Sequence, residues 1–309
     1  MDSLFNPYYL NIVVIVGIYV ILSLGLNIIT GFAGQVSLGH AAFYAIGAYG
    51  SAILALQGHL SFWLALPLAG ALTWVAGILL GLPSLRVRED FLAIVTLGLG
   101  LIVQSLANNL KITGGSLGLG NIPQPMLFGK PMSQLSFTTM TWLFVALAVF
   151  VAQRALNSRV GRAWLAIRED ELVADALGVN TTILKVLAFA LGALYAGVAG
   201  SLYAHFTTFI SADAFGFSES ATVLSMIVLG GLGSIPGSIL GAILLALAPE
   251  ILRPLADYRM LIYGFLLVLM MRCRPQGLLG KSTVLRDKPR RWLKKGGLKR
   301  GLAGDKETH

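Results

Sequence analysis

The chain is poor in charged residues and has almost no cysteine. Charged residues make up 12% of its 309 residues, against 56% hydrophobic ones, and no Asp, Glu, Lys or Arg occurs between Asp2 and Arg86. Soluble domains carry about 25% charged residues, so this composition excludes an ordinary soluble protein. Cys273 is the only cysteine, which excludes an intrachain disulfide. Its place between Arg272 and Arg274 indicates the reducing cytosol.

The sequence also lacks the motifs of an enzyme or a nucleotide-binding protein. Residues 277–283 (GLLGKST) contain Gly-Lys-Ser, but Pro275 stands where a phosphate-binding loop needs its first glycine. No catalytic triad, zinc-ligand spacing or carboxylate pair occurs in the apolar segments, and the first four of these hold no acidic residue. Proton and sodium relays usually use such acids. We therefore predict no catalytic residue, no metal site and no cofactor in this chain.

The long apolar segments predict an all-α polytopic membrane protein with about nine transmembrane segments (eight to ten). One span needs about 20 apolar residues. The segment near 219 is short and Gly-rich enough to be a broken or re-entrant helix. The first 14 residues lack the basic region of a cleaved signal peptide, so the first segment is expected to remain as a span. The predicted spans are 8–30, 36–57, 62–83, 91–110, 138–156, 183–206, 219–234, 237–252 and 258–272.

The basic residues predict the orientation of these spans. Short loops rich in Lys and Arg stay in the cytoplasm. Arg86, Arg88, the polar stretch 157–185 and the chain from Arg272 onward all fall on that side if the N-terminus is outside. Asp213 and Glu219 are then predicted to flank a span on the outer side and to face water or a soluble partner.

The excess positive charge lies at the C-terminal end. Residues 272–309 hold 12 basic and 3 acidic residues, and the rest of the chain is balanced. We predict a transmembrane domain over 1–280 and a basic cytoplasmic tail over 281–309. Such a tail lies against anionic lipid headgroups. It has no nucleic-acid-binding motif, so membrane lipid and not nucleic acid is the expected partner.

The polar stretch 157–185 (NSRVGRAWLAIREDELVADALGVNTTILK) interrupts the apolar segments. Apolar residues recur among its charges at helical spacing, and Gly178 is a helix stop signal. The stretch therefore predicts a short amphipathic helix on the cytoplasmic side. A helix placed there favours docking to a cytoplasmic partner, and the alternative is a solvated loop.

Two Gly-rich clusters, GFAGQVSLGH at 31–40 and GGLGSIPGS at 230–238, interrupt apolar segments. They favour unwound backbone that lines a cavity, which a membrane tolerates only where protein or water surrounds it. The alternative is close helix packing through small residues. The nearby polar side chains could equally form interhelical hydrogen bonds, and His40 is either pH-responsive or structural. The predicted pathway residues are Gly31, Gly34, Gln35, Ser37, His40, Gly230, Gly231, Gly233 and Ser234.

Four segments, in order, resemble one known family: GFAGQVSLGHAAFYAIGAY, TGGSLGL, GRAWLAIREDELVADALGVNTTILKVLAF and VLGGLGSIPGSILGA. With the RPQGLLG ending, the region from about 11 to 280 is similar to the LivM-type permease subunit of branched-chain amino-acid ABC importers. The resemblance implies a cytoplasmic loop whose helix fits a groove in the ATP-binding subunit. It implies a coupling role for Gly161, Arg162, Ala163, Ile167, Arg168, Glu169, Ala174, Leu177, Gly178 and Lys185, the last where the chain re-enters the membrane.

The resemblance also implies a function and a set of partners. It implies a non-enzymatic permease of the bacterial inner membrane that imports a branched-chain or other hydrophobic amino acid, with urea or short amides as the alternative substrates. The implied partners are a homologous LivH-type permease, two cytosolic subunits that bind ATP and Mg²⁺, and a periplasmic substrate-binding protein. The competing class is a secondary transporter or channel for a small polar solute. Such a protein would need an ion site or an open pore and would have no use for the helix in 157–185.

Overall fold

A computed structural model describes residues 7–84, 89–127, 130–251, 264, 272 and 277–279. The predicted ninth span, 258–272, falls outside this part of the chain apart from two isolated positions. Arg86, Arg88, Cys273 and the predicted tail over 281–309 lie outside it as well.

The described residues are almost entirely helical. The α1 helix continues without interruption into six residues of π-helix at Asn27–Phe32. Short 3₁₀ turns occur at Lys111–Thr113, Gly115–Leu117 and Ala212–Phe215. Two-residue strands β1 (Met126–Leu127) and β2 (Lys130–Pro131) pair antiparallel. The α-helices are α1 Pro7–Leu26, α2 His40–Leu56, α3 Phe62–Ser84, α4 Glu89–Asn109, α5 Gln134–Asn157, α6 Arg159–Glu169, α7 Glu171–Ala176, α8 Thr181–Thr207, α9 Phe217–Gly230 and α10 Ile235–Ile251.

Five of these helices are long and apolar enough to cross a membrane, which agrees with an all-α polytopic membrane protein. They are Pro7–Phe32, Phe62–Leu82, Phe91–Asn109, Gln134–Asn157 and Thr181–Thr207. Helices α2, α9 and α10 are apolar but shorter. The 14 residues of α9 extend about 21 Å at 1.5 Å per residue, less than the hydrocarbon thickness of about 30 Å.

The centre of the bundle is α8, which packs along α3, α2 and α1. Small residues allow these close approaches: a Cβ on Gly47 would collide with Gly197, and one on Gly197 with Thr73. Close packing through small residues therefore accounts for these glycines. The hydrophobic core contains the inner faces of the same helices.

The chain between α1 and α2 turns back into the bundle. Residues 33–39 are not helical, and α2 begins at His40 and not at the predicted 36. His40 Nε2 lies 3.2 Å from the carbonyl oxygen of Leu22, well inside the 7–32 helix. The amide of Ala41 in the first turn of α2 donates to Ser220 Oγ at 2.9 Å. The first turns of α2 and α9 therefore meet beside the middle of α1.

Glu219 lies deeper in the bundle than its predicted position at the outer flank of a span. Its side chain is half-buried, and Tyr19, the middle residue of the continuous 7–32 helix, places its hydroxyl 3.5 Å from Glu219 Oε2. Because the segment before α9 folds into the bundle before the helix begins, Glu219 lies at the depth of the α1 midpoint. Asp213, six residues earlier, is exposed.

The segment between α4 and α5 covers the opposite end of the bundle from α6 and α7. Leu119 and Ile210 form an antiparallel bridge. His205 Nδ1 lies 2.8 Å from the carbonyl oxygen of Pro123, and Trp63 Nε1 donates to that of Met126 at 3.1 Å. These bonds join the segment to the ends of α3 and α8.

Candidate functional site

The predicted single helix in 157–185 is two helices, α6 and α7. Ser158 Oγ accepts from the Gly161 amide at 3.3 Å and caps α6, while Asp170 Oδ1 accepts from Val173 N at 3.0 Å and caps α7. Asp170 breaks the helix because its backbone is extended while its side chain satisfies a first-turn amide. Gly178 follows α7 with φ +82°, a conformation that favours glycine.

Several of the predicted coupling residues lie on the buried face of α6 and α7 and pack against the bundle. Gly161 has no room for a Cβ, which would collide with the carbonyl oxygens of Ala155 and Leu156. Ile167 and Ala174 are buried.

Two further contacts hold α6 and α7 against α8. Lys185, near the start of α8, is buried and forms an ion pair with Glu171 in α7. The fully buried Trp164 donates from Nε1 to the Leu184 carbonyl at 2.8 Å. Lys185 therefore pairs within its own chain and is not on the exposed face.

The outer face of α6 and α7 presents apolar side chains among charges. Leu172 and Leu177 are 82% and 78% exposed, and Val173 is 53% exposed. Of the remaining predicted coupling residues, Arg162, Glu169 and Gly178 are exposed and Ala163 is half-buried. Large apolar residues clustered on a polar surface indicate a protein contact. Leu172 is not among the predicted coupling residues, although a leucine beside Glu171 in a charged helix could have indicated an exposed apolar contact.

Arg168 connects α6 to both Gly-rich clusters. Its guanidinium donates a hydrogen bond to the carbonyl oxygen of Gly31 in the π-helix. Gly34 has φ +76°, and a Cβ there would lie 3.2 Å from Arg168 Cα and Cγ. Gly233 has φ +78°, and a Cβ there would collide with Arg168 Nη1. Arg168 is an exposed residue whose side chain lies against the backbone of both clusters.

The two clusters also contact each other directly. The Gly233 amide donates to Asn27 Oδ1 at 2.9 Å, and Asn27 is fully buried in the π-helix. Gly230 packs against Gly237, and Ser234 Oγ caps α10 by accepting from the Gly237 amide at 3.2 Å. Sequence reasoning named Gly31, Gly34, Gly230, Gly231, Gly233 and Ser234, which the structure brings together here. Asn27 is one of the polar side chains near the first cluster for which interhelical hydrogen bonding was the alternative, and its bond to Gly233 is of that kind.

Gln35, Ser37 and His40 lie farther along the same backbone, between Arg168 and the middle of α1. All three are buried, so in this conformation they contact protein and not an open passage. Gln35 Nε2 and His40 Nδ1 have no hydrogen-bond partner among the described residues. Ser37 Oγ lies 3.4 Å from the Gly39 amide. The described residues contain no group of three metal-ligating side chains.

An open groove of about 560 Å³ lies between α1, α9 and α10 and contains Tyr19 and Glu219. Its other polar wall residues include Thr222 and Ser225. Sequence reasoning missed this groove because no local pattern indicates the depth of Glu219.

Comparisons with known proteins identify relatives over most of the chain. Residues 8–271 match the family described as "Branched-chain amino acid transport system / permease component". The high-affinity branched-chain amino acid transport system permease protein LivM of Escherichia coli (strain K12) is 45% identical over 287 residues, covering 85% of this chain and 68% of that protein. Its counterpart LivM of Salmonella typhimurium gives the same values. LivH of Escherichia coli (strain K12), also a permease protein of that system, is 29% identical over 292 residues, covering 86% and 92% of the two chains. No solved structure matches this chain significantly.

Proposed function

Because this chain belongs to the family of permease components of branched-chain amino acid transport systems, we propose that it forms half of the transmembrane pathway of an ATP-driven amino-acid importer. The other half is a homologous LivH-type permease. Two cytosolic subunits bind ATP and Mg²⁺ and supply the energy, and a periplasmic binding protein supplies the substrate, a branched-chain or similar hydrophobic amino acid.

The observation that carries this proposal is the exposed face of α6 and α7. Leu172 and Leu177 project from a charged surface at 82% and 78% exposure. Burying a leucine side chain contributes about 2 kcal/mol, so a partner that covers both gains considerable binding energy. The face belongs to two capped helices that Trp164 and the Lys185–Glu171 pair hold against α8. A push on it is therefore transmitted to the bundle.

Arg168 is the residue through which we propose that a displacement of α6 and α7 moves the residues of the pathway. Its guanidinium donates a hydrogen bond to the Gly31 carbonyl, and its side chain lies against Gly34 and Gly233. A displacement of α6 therefore moves the π-helical end of α1 and the α9–α10 turn together. Single turns of π-helix occur frequently at functional sites, which is consistent with this end of α1 changing conformation during transport.

The proposed orientation places α6, α7 and the turn after α9 in the cytoplasm, with the N-terminus outside. The π-helical end of α1, α6 and the α9–α10 turn meet at Arg168, so they share one end of the bundle. Arg154, Arg159 and Arg162 lie at the same end. Basic residues are retained on the cytoplasmic side, which supports this orientation in a bacterial inner membrane.

The test is purification of the tagged chain from its native membrane in mild detergent, followed by transport in sealed vesicles. We expect a second permease and ATP-binding subunits to copurify, and leucine uptake to require ATP and the binding protein. Leu172→Asp with Leu177→Asp should release the ATP-binding subunits. Leu117→Asp is the matched control, since Leu117 is 87% exposed at the other end of the bundle. A chain that purifies alone and transports without ATP would overturn the proposal in favour of a secondary carrier.

A further inference from the structure

The groove between α1, α9 and α10 is lined by acidic, hydroxyl and apolar side chains. None of its lining residues is Lys, Arg or His. Glu219 lies in one wall with Tyr19, Thr222 and Ser225 nearby, and Ile15 and Leu245 supply apolar surface. The volume of about 560 Å³ is within the range of small-ligand sites, about 300–1,000 Å³.

Glu219 is the member of this groove whose bonding is least complete. Its Oε2 has only the long contact of 3.5 Å with the Tyr19 hydroxyl, and its Oε1 is buried without a hydrogen-bond partner among the described residues. A carboxylate at membrane depth is costly unless it is paired, and such residues mark the paths of substrates and ions. The terminal torsion of a glutamate is soft, so this carboxylate can turn toward a cation in the groove.

The groove extends toward the end of the bundle opposite Arg168. A second open groove, of about 640 Å³, shares Asn11 and Ile15 with the first and continues to Gln134 and His205. His205 lies at the end of α8, where it contacts Pro123 in the α4–α5 segment. A solute arriving at that end can therefore follow the side of α1 to Glu219.

We propose that the groove beside Glu219 is the subsite that binds the ammonium group of the transported amino acid. The aliphatic side chain of that amino acid then packs against Ile15 and Leu245. This inference rests on the proposed function, since it deepens the description of the substrate path. No basic residue lines the groove, so within it only amide and hydroxyl groups such as those of Asn11, Thr222 and Ser225 are donors for the substrate carboxylate. The subsite favours zwitterions and cations over anions.

The first arm of the test measures the charge preference of the groove without using transport. Thr222 is exposed, lies three residues after Glu219 on the same helical face, and accepts a cysteine in a Cys273→Ser background. The reagents are trimethylammonium-ethyl and sulfonato-ethyl methanethiosulfonate, applied to the purified complex. We expect the cationic reagent to label Thr222→Cys about tenfold faster than the anionic one relative to a free thiol. Glu219→Gln should remove most of this preference, whereas Glu250→Gln, at the other acidic residue of the groove, and Asp213→Asn should retain it. A preference that survives Glu219→Gln overturns the inference.

The second arm measures ATP-driven leucine uptake in vesicles that contain the whole complex. Glu219→Gln should raise the KM for leucine at least tenfold while the ATP-binding subunits remain attached, and Glu219→Asp should restore part of the affinity. An unchanged KM in Glu219→Gln overturns the ammonium subsite. Failure of the proposed function would appear differently: the unmodified chain would show no ATP-driven leucine uptake, while the labelling arm would still report the charge preference.

Discussion

Arg168 and Gly31 are 137 positions apart in the chain, yet the guanidinium of one donates a hydrogen bond to the backbone carbonyl of the other. The bond joins a helix outside the membrane-length bundle to the π-helical end of α1. It is a side-chain-to-backbone bond, so its presence depends on Arg168 and not on the identity of residue 31's side chain.

Arg168→Ala should uncouple ATP hydrolysis from transport. The ATP-binding subunits should remain attached, because Leu172 and Leu177 are unchanged, while leucine uptake per ATP hydrolysed falls at least tenfold. Lysine at 168 keeps the charge but loses the planar fork of donors, so Arg168→Lys should be intermediate. Arg159→Ala is the matched control, since Arg159 is an exposed arginine in the same helix. Equal coupling ratios in all four proteins would remove Arg168 from the mechanism.

Gly34 and Gly178 allow backbone strain to be separated from collision with Arg168. Their φ values are +76° and +82°, but a Cβ on Gly34 meets Arg168 whereas one on Gly178 meets nothing within 4 Å. Both alanine variants should lose about 1 kcal/mol of stability from the left-handed conformation. Gly34→Ala should in addition displace Arg168 and lower the coupling ratio. Thermal unfolding in detergent measures the first effect, and uptake per ATP measures the second. Loss of coupling only in Gly178→Ala would contradict this assignment.

Most of the helices in the described chain could be predicted from apolar length alone, because a membrane span satisfies its backbone internally and needs a long apolar run. The predicted 62–83, 91–110 and 183–206 agree with α3, α4 and α8 to within a few residues. The break between α6 and α7 was not predicted, because a helical charge pattern continues through Asp170 while its side chain caps the next helix.

Tertiary position accounts for the remaining differences. The glycine clusters predicted unwound backbone, but their joining through Asn27 and Arg168 depends on how α1, α6 and α9 pack. Glu219 follows a polar stretch of sequence, which predicts a position at the outer end of a span. In the fold it lies beside Tyr19 instead. The burial of Lys185 likewise depends on the distance to Glu171, which no local pattern specifies.

Replacing Gln35, Ser37 or His40 should alter transport while the ATP-binding subunits stay attached. These side chains are buried along the backbone that runs from Gly34 to α2, away from the exposed face of α6 and α7. His40→Ala removes the contact with the Leu22 carbonyl, and an unmade buried hydrogen bond costs about 1–3 kcal/mol. Leucine uptake and the amount of copurified ATP-binding subunit are the two readouts. Loss of those subunits from the membrane would assign the three residues a structural role instead.

The ion pair between Lys185 and Glu171 should be required for the position of α7 against α8. Lys185→Met leaves Glu171 without its partner, and the cost should be about 1 kcal/mol, because the Glu171 side chain is 36% exposed and partly screened. Glu171→Gln should cost a similar amount or more, since it removes an ion-pair partner of the more buried Lys185 charge. If the pair acts by mutual attraction, Lys185→Glu combined with Glu171→Lys should restore stability and coupling that either reversal alone removes. Double-mutant analysis of thermal unfolding, with uptake per ATP as the second measurement, gives the interaction directly. Additive losses in the double reversal would show that the two residues contribute through packing, and that their charges do not fix α7.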